Sequence, residues 1–371
     1  MKNKKIILID ETLREGMQYR GTMFSIAQRL KILDFQEQLG VDICQAGYPP
    51  AHAREADAVK TLVSHGRKNR YKIRVAAMGR ATRHDTGILM ATGANDLHLH
   101  VHLKNNMSRE TLDNALADLS NTIQSVRKHL SHAVLSIAML DIGRSDAPTL
   151  DRCVTFLSHQ GIDMISLPDT SGMMAPNQVF DKILRLSGKT RKTHISIHCH
   201  NDLGMASANA VMGILAGGRV LEASALGIGE RNGIADLYTT AKTLQNQGYT
   251  INMDTDNLST FKAYYAYVDA IVYEQQGHHL LDVNTPVFGD AVKTHVAGTH
   301  AGGDYGLATE EHFFLNILCS KLLVKKYLAA HAMACPADRL DLLTEEIKST
   351  SSQLNRCLTR TDIQRLISLL H

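Results

Sequence analysis

The chain has 371 residues, of which 44% are hydrophobic, and a formal charge of only +3 at pH 7, as is ordinary for a globular enzyme with one large core. No block of like charges points to nucleic acid or an anionic membrane as a partner. The apolar run at residues 6–9 is too short for a signal peptide or a membrane span. The six cysteines show no CxxC spacing, so we expect a reducing cytoplasm.

Short β-type runs alternate with amphipathic stretches through the first two-thirds of the chain. After the first run, Ile26, Leu30 and Leu33 fall on one helical face, and Gly40 ends the helix. Eight such units over about 240 residues predict a (β/α)8 TIM barrel. A doubly wound open sheet is the alternative, but no GxGxxG follows the first strand. The candidate strands are residues 6–9, 41–45, 73–77, 97–103, 134–139, 164–167, 195–199 and 221–225.

The alternation stops near residue 250. Residues 252–286, 315–334 and 338–370 have helical patterns, and a Gly- and His-rich loop spans residues 288–306. We therefore predict two domains. The first is a barrel at residues 1–250, and the second is a mainly helical lid or dimerisation region at residues 251–371.

Polar residues follow nearly every predicted strand, at the end where TIM barrels carry their active sites. His198 and His200 end the seventh strand and share one face, because side chains alternate along a strand. Glu15, after the first strand, is the candidate third ligand. Two imidazoles and one carboxylate leave positions open for substrate oxygens. The sequence therefore predicts a divalent metal ion (Zn, Mn, Mg or Co) at these residues, with a simple hydrogen-bonded histidine pair as the alternative.

Three long motifs occur in an order typical of one enzyme family. Residues 10–18 read DETLREGMQ, residues 198–204 read HCHNDLG, and residues 227–233 read GIGERNG. They resemble the signatures of the metal-dependent barrel family that contains isopropylmalate, homocitrate and citramalate synthases and hydroxymethylglutaryl-CoA lyase. Thr299-His300-Ala301 resembles the lid histidine motif of the condensing members. Other branches carry Asp at the position of Glu15, so this motif is most similar to that of homocitrate synthase.

The resemblance implies a Claisen-type condensation of acetyl-CoA with a 2-oxo acid, which gives a 2-hydroxy dicarboxylic or tricarboxylic acid. Glu15, His198 and His200 would bind the metal ion. Arg14 would stabilise the enolate oxygen, Thr170 would contact the keto acid carboxylate, and Gln18 would order the mouth of the barrel. The resemblance also implies a homodimer.

Three acid–base positions depart from the family pattern, and one of them is the lid tyrosine, whose aligned place is occupied by Phe313. Leu140 aligns with a glutamate that assists proton transfer, and Gln45 stands where the family usually has glutamate. We therefore expect proton transfer to use His300 with Asp141 or His102. Two alternatives remain open. One is an aldolase or lyase that acts on a C–C bond without acetyl-CoA, and the other is a degenerate barrel that binds a metal or metabolite without turnover.

The fourth predicted strand carries further candidate substrate contacts. His98, His100 and His102 alternate on one strand face, a pattern more typical of hydrogen bonding inside a barrel than of a second metal site. His102 is nearest the mouth and is a candidate substrate contact or base. Lys104 falls near a position where homocitrate synthases bind the distal carboxylate with arginine. A lysine could bind that carboxylate as a point charge, but not through a bidentate fork.

Overall fold

The computed structural model describes residues 5–102, 107–190, 192–297 and 312–370. The chain forms two compact units, Met1–Leu280 and Leu281–His371. The first unit is built on eight parallel strands. They are β1 (Lys5–Asp10), β2 (Ile43–Gln45), β3 (Arg74–Arg80), β4 (Asp96–Val101), β5 (Val134–Met139), β6 (Met164–Asp169), β7 (His194–Cys199) and β8 (Val220–Ala223).

The eight strands close into a barrel, which confirms the predicted fold. Each strand pairs with the next along the chain, and β1 pairs with both β2 and β8, with Ile9 opposite Ile43 and Glu222. A two-residue strand, β9 (Thr250–Ile251), adds to the start of β1. At the N-terminal end, inward-facing Ile9, Ile43 and Val220 pack with Ala76 and Met164. This apolar layer fills the lower barrel, so any cavity must open at the other end.

Helices follow the strands in the order that the barrel requires. The first begins at Ser25, which forms a capping box with Gln28, and ends at Gly40 with φ 77°. The helices of this unit are α1 (Ile26–Leu39), α2 (Ala53–Asn69), α3 (Arg83–Ala91), α4 (Arg109–His129), α5 (Ala147–Leu157), α6 (Pro176–Ser187), α7 (Ala206–Leu215), α8 (Leu237–Asn246) and α9 (Leu258–Gln276). Within the described ranges, none of the helices combines the length and the apolar character that crossing a membrane would need.

Helix α9 belongs to the barrel unit, so the units divide later than residue 250. Tyr264 and Tyr265 of α9 are fully buried. The Tyr264 hydroxyl donates to Asp10 Oδ2 at 2.8 Å, and the Tyr265 hydroxyl donates to Asp236 Oδ2 at 2.8 Å. These bonds tie α9 to the first strand and to the start of α8. The tyrosine-rich segment is therefore part of the barrel unit.

The second unit is a small helical body. It contains α10 (Lys321–Ala330), α11 (Leu340–Leu354) and α12 (Arg360–Leu369), together with the paired short strands β10 (Thr294–His295) and β11 (His312–Phe313). Leu323, Leu343 and Ile363 form its core. The predicted helical segment at residues 338–370 consists of two helices. Asn355 ends α11 in a left-handed conformation, and Thr359 begins α12 with a capping box.

A buried carboxylate at the N-terminal end of the barrel makes stability depend on pH. Asp96 is 1% exposed, and burial raises its pKa to about 6 despite Arg74, whose Nε lies 3.1 Å away. The folded protein binds the proton of Asp96 more tightly than the unfolded chain does. The resulting contribution to the free energy of unfolding is therefore complete below the ordinary pKa of aspartate and is lost as pH rises through 6. The shift from 3.8 to about 6 corresponds to about 3 kcal/mol, at about 1.4 kcal/mol per pKa unit.

We therefore expect the free energy of unfolding of Asp96→Asn at pH 7.5 to exceed that of the wild type by about 2–3 kcal/mol. The difference should vanish near pH 4, because both side chains are then neutral. Urea denaturation at the two pH values measures the effect. An asparagine variant that is less stable than the wild type at pH 7.5 would contradict this prediction.

Candidate metal centre

A cavity of about 520 Å³ opens at the C-terminal ends of the barrel strands. Its wall includes most of the residues singled out from the sequence. The predicted site residues that line it are Arg14, Glu15, Gln18, Gln45, Thr170, His198 and His200. This end of the barrel is where the fold places active sites.

Two histidines at the C-terminal end of β7, His198 and His200, converge on one point. His198 Nε2 and His200 Nε2 lie 3.2 Å apart, and both side chains are about 95% buried. Two nitrogens that each bind one ion at about 2.0–2.1 Å are separated by roughly 3 Å. Glu15, in the single 3₁₀ turn after β1, has an oxygen within 4.8 Å of ligand atoms of His200 and Glu230. Glu15, His200 and Glu230 together form a donor set that a divalent ion accepts, and His198 belongs to a second such group with Glu11 and Glu222.

The charges around these ligands prepare them for a cation. Although burial opposes ionisation, Arg14 and the two histidines lower the pKa of Glu15. Burial and the neighbouring charge of His198 lower the pKa of His200 to about 3, so its ring is neutral at neutral pH. Glu15 Oε1 also accepts a hydrogen bond from the backbone N–H of Glu230 at 3.0 Å. A carboxylate and a neutral imidazole are the forms that bind metal ions.

Two buried glutamates behind His198 were not predicted from the sequence. His198 Nδ1 lies 3.0 Å from Glu11 Oε2 and 3.2 Å from Glu222 Oε2. Burial opposes a charge on this ring, but these carboxylates raise the pKa of His198 to about 10. They hold the proton on Nδ1, and because the raised pKa keeps Nε2 protonated as well, a metal ion would have to displace the Nε2 proton to give a carboxylate–histidine–metal arrangement. Ser196 Oγ donates to Glu222 Oε1 at 2.5 Å and orients that carboxylate.

Arg14 joins the metal ligands to the rest of the cavity wall. Its guanidinium donates to Glu11 Oε2 at 2.7 Å and to Gln18 Oε1 at 2.9 Å. It also bonds to Glu15 Oε2 and to Gln45 Oε1. Four partners hold this side chain, which is 11% exposed, in one orientation at the mouth of the barrel. Preorganised donors of this kind stabilise a developing negative charge.

The remaining predicted residues are dispersed. Thr170 Oγ1 accepts a hydrogen bond from the backbone N–H of Asp141 at 2.9 Å. The Asp141 carboxylate accepts from Arg144 Nε at 2.5 Å, and Asp141 is not among the residues that line the cavity, whereas Leu140 is. His102 is exposed and, in the part of the chain that the structure describes, does not line it either. Lys104 and His300 lie outside the described residues.

Comparisons with known proteins bear on the family and the fold. The family model described as HMGL-like matches residues 5–264. A 2-isopropylmalate synthase of Sulfurisphaera tokodaii is 31% identical over 82% of this chain and 76% of its own. A homocitrate synthase of Sulfolobus acidocaldarius is 26% identical over 96% and 74%. An HMG-CoA lyase of Bacillus subtilis has the same fold, with a TM-score of 0.62 and 18% identity over 74% of this chain and 95% of that one.

Proposed function

The chain belongs to the HMGL-like family, and on that premise we propose that it condenses acetyl-CoA with a 2-oxo acid. A C–C bond forms between the deprotonated methyl carbon of the acetyl group and the ketone carbon. Hydrolysis of the thioester then releases free CoA and a 2-hydroxy dicarboxylic or tricarboxylic acid. The observation that carries the proposal is the convergence of His198 Nε2 and His200 Nε2 at 3.2 Å, with Glu15 and Arg14 beside them.

The side chains of the cavity have separate roles in this proposal. A divalent ion held by Glu15, His198 and His200 would supply Lewis-acid polarisation of the acceptor ketone. Arg14 donates to the enolate oxygen of the acyl donor, and Gln18 and Gln45 keep its guanidinium in place. The Thr170 hydroxyl accepts from a backbone N–H, so its own proton is available for the carboxylate of the acceptor.

Proton transfer is the part of this machinery where the sequence departs from the family pattern. We propose that His300 removes the methyl proton, with Asp141 or His102 as its partner, and that Lys104 binds a distal group of the acceptor. Leu140 lines the cavity at the position where the family pattern has a glutamate. A hydrocarbon side chain there can shape the acceptor pocket, but it cannot move a proton.

The decisive experiment measures free thiol release from acetyl-CoA with a panel of 2-oxo acids and added Zn²⁺, Mn²⁺, Mg²⁺ or Co²⁺. We expect release with at least one acceptor, and we expect chelation to abolish it. Absence of thiol with every acceptor would contradict the proposal. A C–C bond cleaved or formed without acetyl-CoA would then point to an aldolase or lyase, and acceptor binding without turnover to a metabolite-binding barrel.

Two further properties follow from the family and the cysteines. We propose a homodimer, which light scattering of the purified chain would test, with a monomer as the contrary outcome. We also propose a reducing cytoplasm as the place of action. All six cysteines are free, and Cys44, Cys153 and Cys199 are buried, as expected of a protein that does not depend on disulfides.

Restoring a carboxylate at position 140 should change the chemistry. We expect Leu140→Glu to change kcat for condensation by about 10-fold or more and to add an ionisation to its pH profile. Leu140→Gln is the matched control, because it has the same shape but does not titrate near neutral pH. If the two variants have the same pH profile, position 140 takes no part in proton transfer.

A further inference from the structure

A buried histidine on the cavity wall has no role in the reaction described so far. His98 projects from β4, is 5% exposed and lines the cavity. Its Nδ1 lies 2.8 Å from Nε2 of Gln45. Its Nε2 is buried and has no hydrogen-bond partner among the residues that the structure describes. A buried polar atom without a partner is costly, so a ligand in the cavity is the natural partner for this nitrogen.

The neighbours of His98 determine which of its nitrogens carries the proton. Arg14 Nε bonds to Gln45 Oε1, and because a guanidinium has no acceptor, the amide oxygen must face Arg14. The amide NH2 group then faces His98 Nδ1 and can only donate to it. Nδ1 therefore offers its lone pair, and the proton of the neutral ring resides on Nε2. Burial also lowers the pKa of His98 to about 4, which keeps the ring neutral.

Gln45 determines which nitrogen of His98 carries the proton, because an amide can donate a hydrogen bond where a carboxylate cannot. A glutamate at position 45 could only accept from the ring, so Nδ1 would carry the proton, and Nε2 of a neutral ring would be an acceptor. With glutamine, His98 instead presents an N–H group to the cavity. The sequence thus exchanges one titratable group for a fixed, uncharged hydrogen-bond donor.

The barrel places this donor on a strand that carries none of the predicted metal ligands. β4 is three strands from β7, at whose C-terminal end His198 and His200 lie, and four strands from β8. An acceptor whose ketone and carboxylate lie near β7 and Thr170 would reach β4 only with its side chain. Arg14 is the one permanently charged cation among the described residues of the cavity wall, and it is paired with Glu11 and Glu15.

We propose that His98 donates a hydrogen bond from Nε2 to an oxygen atom in the side chain of the 2-oxo acid, and so selects oxygen-bearing acceptors over hydrocarbon ones. The inference rests on the proposed condensation. A hydroxyl, ether or amide oxygen supplies the required lone pair without a charge, and a carboxylate supplies the same lone pair with one. A purely aliphatic side chain leaves the N–H group unpaired.

The test uses matched pairs of straight-chain 2-oxo acids of increasing length, in which one CH2 group is replaced by an ether oxygen. In the pair whose length brings the ether oxygen to His98 Nε2, we expect kcat/KM for the ether to exceed that for the hydrocarbon by roughly 10- to 100-fold. His98→Leu should abolish this preference, whereas His98→Gln, which keeps an N–H donor, should retain most of it. Dicarboxylic acceptors form a separate arm. A preference for them that His98→Leu abolishes also supports the donor role and identifies the oxygen as charged.

Calorimetric binding of the same acceptors to the metal-loaded protein separates this inference from the proposed reaction. If no acceptor releases thiol but the ether binds better and His98→Leu removes the difference, the reaction is wrong and the donor role stands. A wild type that discriminates within no pair and does not prefer dicarboxylates overturns the inference. A preference that survives in His98→Leu overturns it as well.

Discussion

Replacing His200 with alanine should remove most of the bound divalent metal and lower the condensation rate by about 10³-fold or more. One of the two convergent imidazoles is lost, so an ion would be left with His198 and Glu15 as its protein ligands among the predicted set. The metal's Lewis-acid contribution to catalysis is several kcal/mol, and about 1.4 kcal/mol corresponds to a tenfold change in rate. Metal content by elemental analysis and thiol release by absorbance measure the two losses separately.

His194→Ala is a matched control, because it changes the same residue type on the same strand. His194 is the first residue of β7, is exposed and lies at the opposite end of the strand from the cavity. We expect this variant to retain both the metal and the activity. If His200→Ala also retained its full metal content and rate, the assignment of the ligands would be wrong, whatever reaction the protein catalyses.

The barrel itself was predictable because its signal is repeated eight times. Each strand is a short apolar run, and the helices between the strands carry their own punctuation, such as Gly40. The first and last residues of the strands were less predictable. The second strand begins at Ile43 rather than at residue 41, and just before it the Asp42 carboxylate accepts from the backbone N–H of Leu8 and from Asn252. Side-chain bonds of this kind depend on residues far along the chain.

The site was predictable where strand alternation alone fixes it. Positions i and i+2 share a face, so the convergence of His198 and His200 follows from one short motif. The role of Glu222 does not, because a single carboxylate in an apolar strand gives no indication of its partner. Alternation does place Glu222 on the inward face, two residues after Val220 of the apolar layer. That signal could have identified it once the barrel was assumed.

The link from Arg14 through Gln45 to His98 was beyond sequence reasoning for a different reason. Glutamine at position 45 is visible as a departure from the family pattern, but its consequence depends on the rotamer of Arg14. Only the bond from Arg14 Nε fixes the direction of the amide, and only the amide fixes the tautomer of His98. Three residues on three elements must be in place before the change has a chemical meaning.

Arg14→Lys should therefore have two separable effects. A lysine retains one positive charge but loses the planar fork that contacts Glu11, Gln18 and Gln45 together. We expect kcat to fall by roughly 10²- to 10³-fold, the usual cost of losing a donor to a developing oxyanion. Metal content should remain close to that of the wild type, because Arg14 competes with the ion for Glu15 rather than binding it.

The second effect appears in acceptor preference rather than in rate. Without the guanidinium, the Gln45 amide can turn, and His98 is free to place its proton on either nitrogen, so discrimination within the matched acceptor pairs should weaken. Arg80→Lys is the control, since Arg80 pairs with Asp85 and does not line the cavity. A loss of bound metal in Arg14→Lys would contradict the role given to Arg14. An unchanged preference would instead show that Gln45 is held by something other than Arg14.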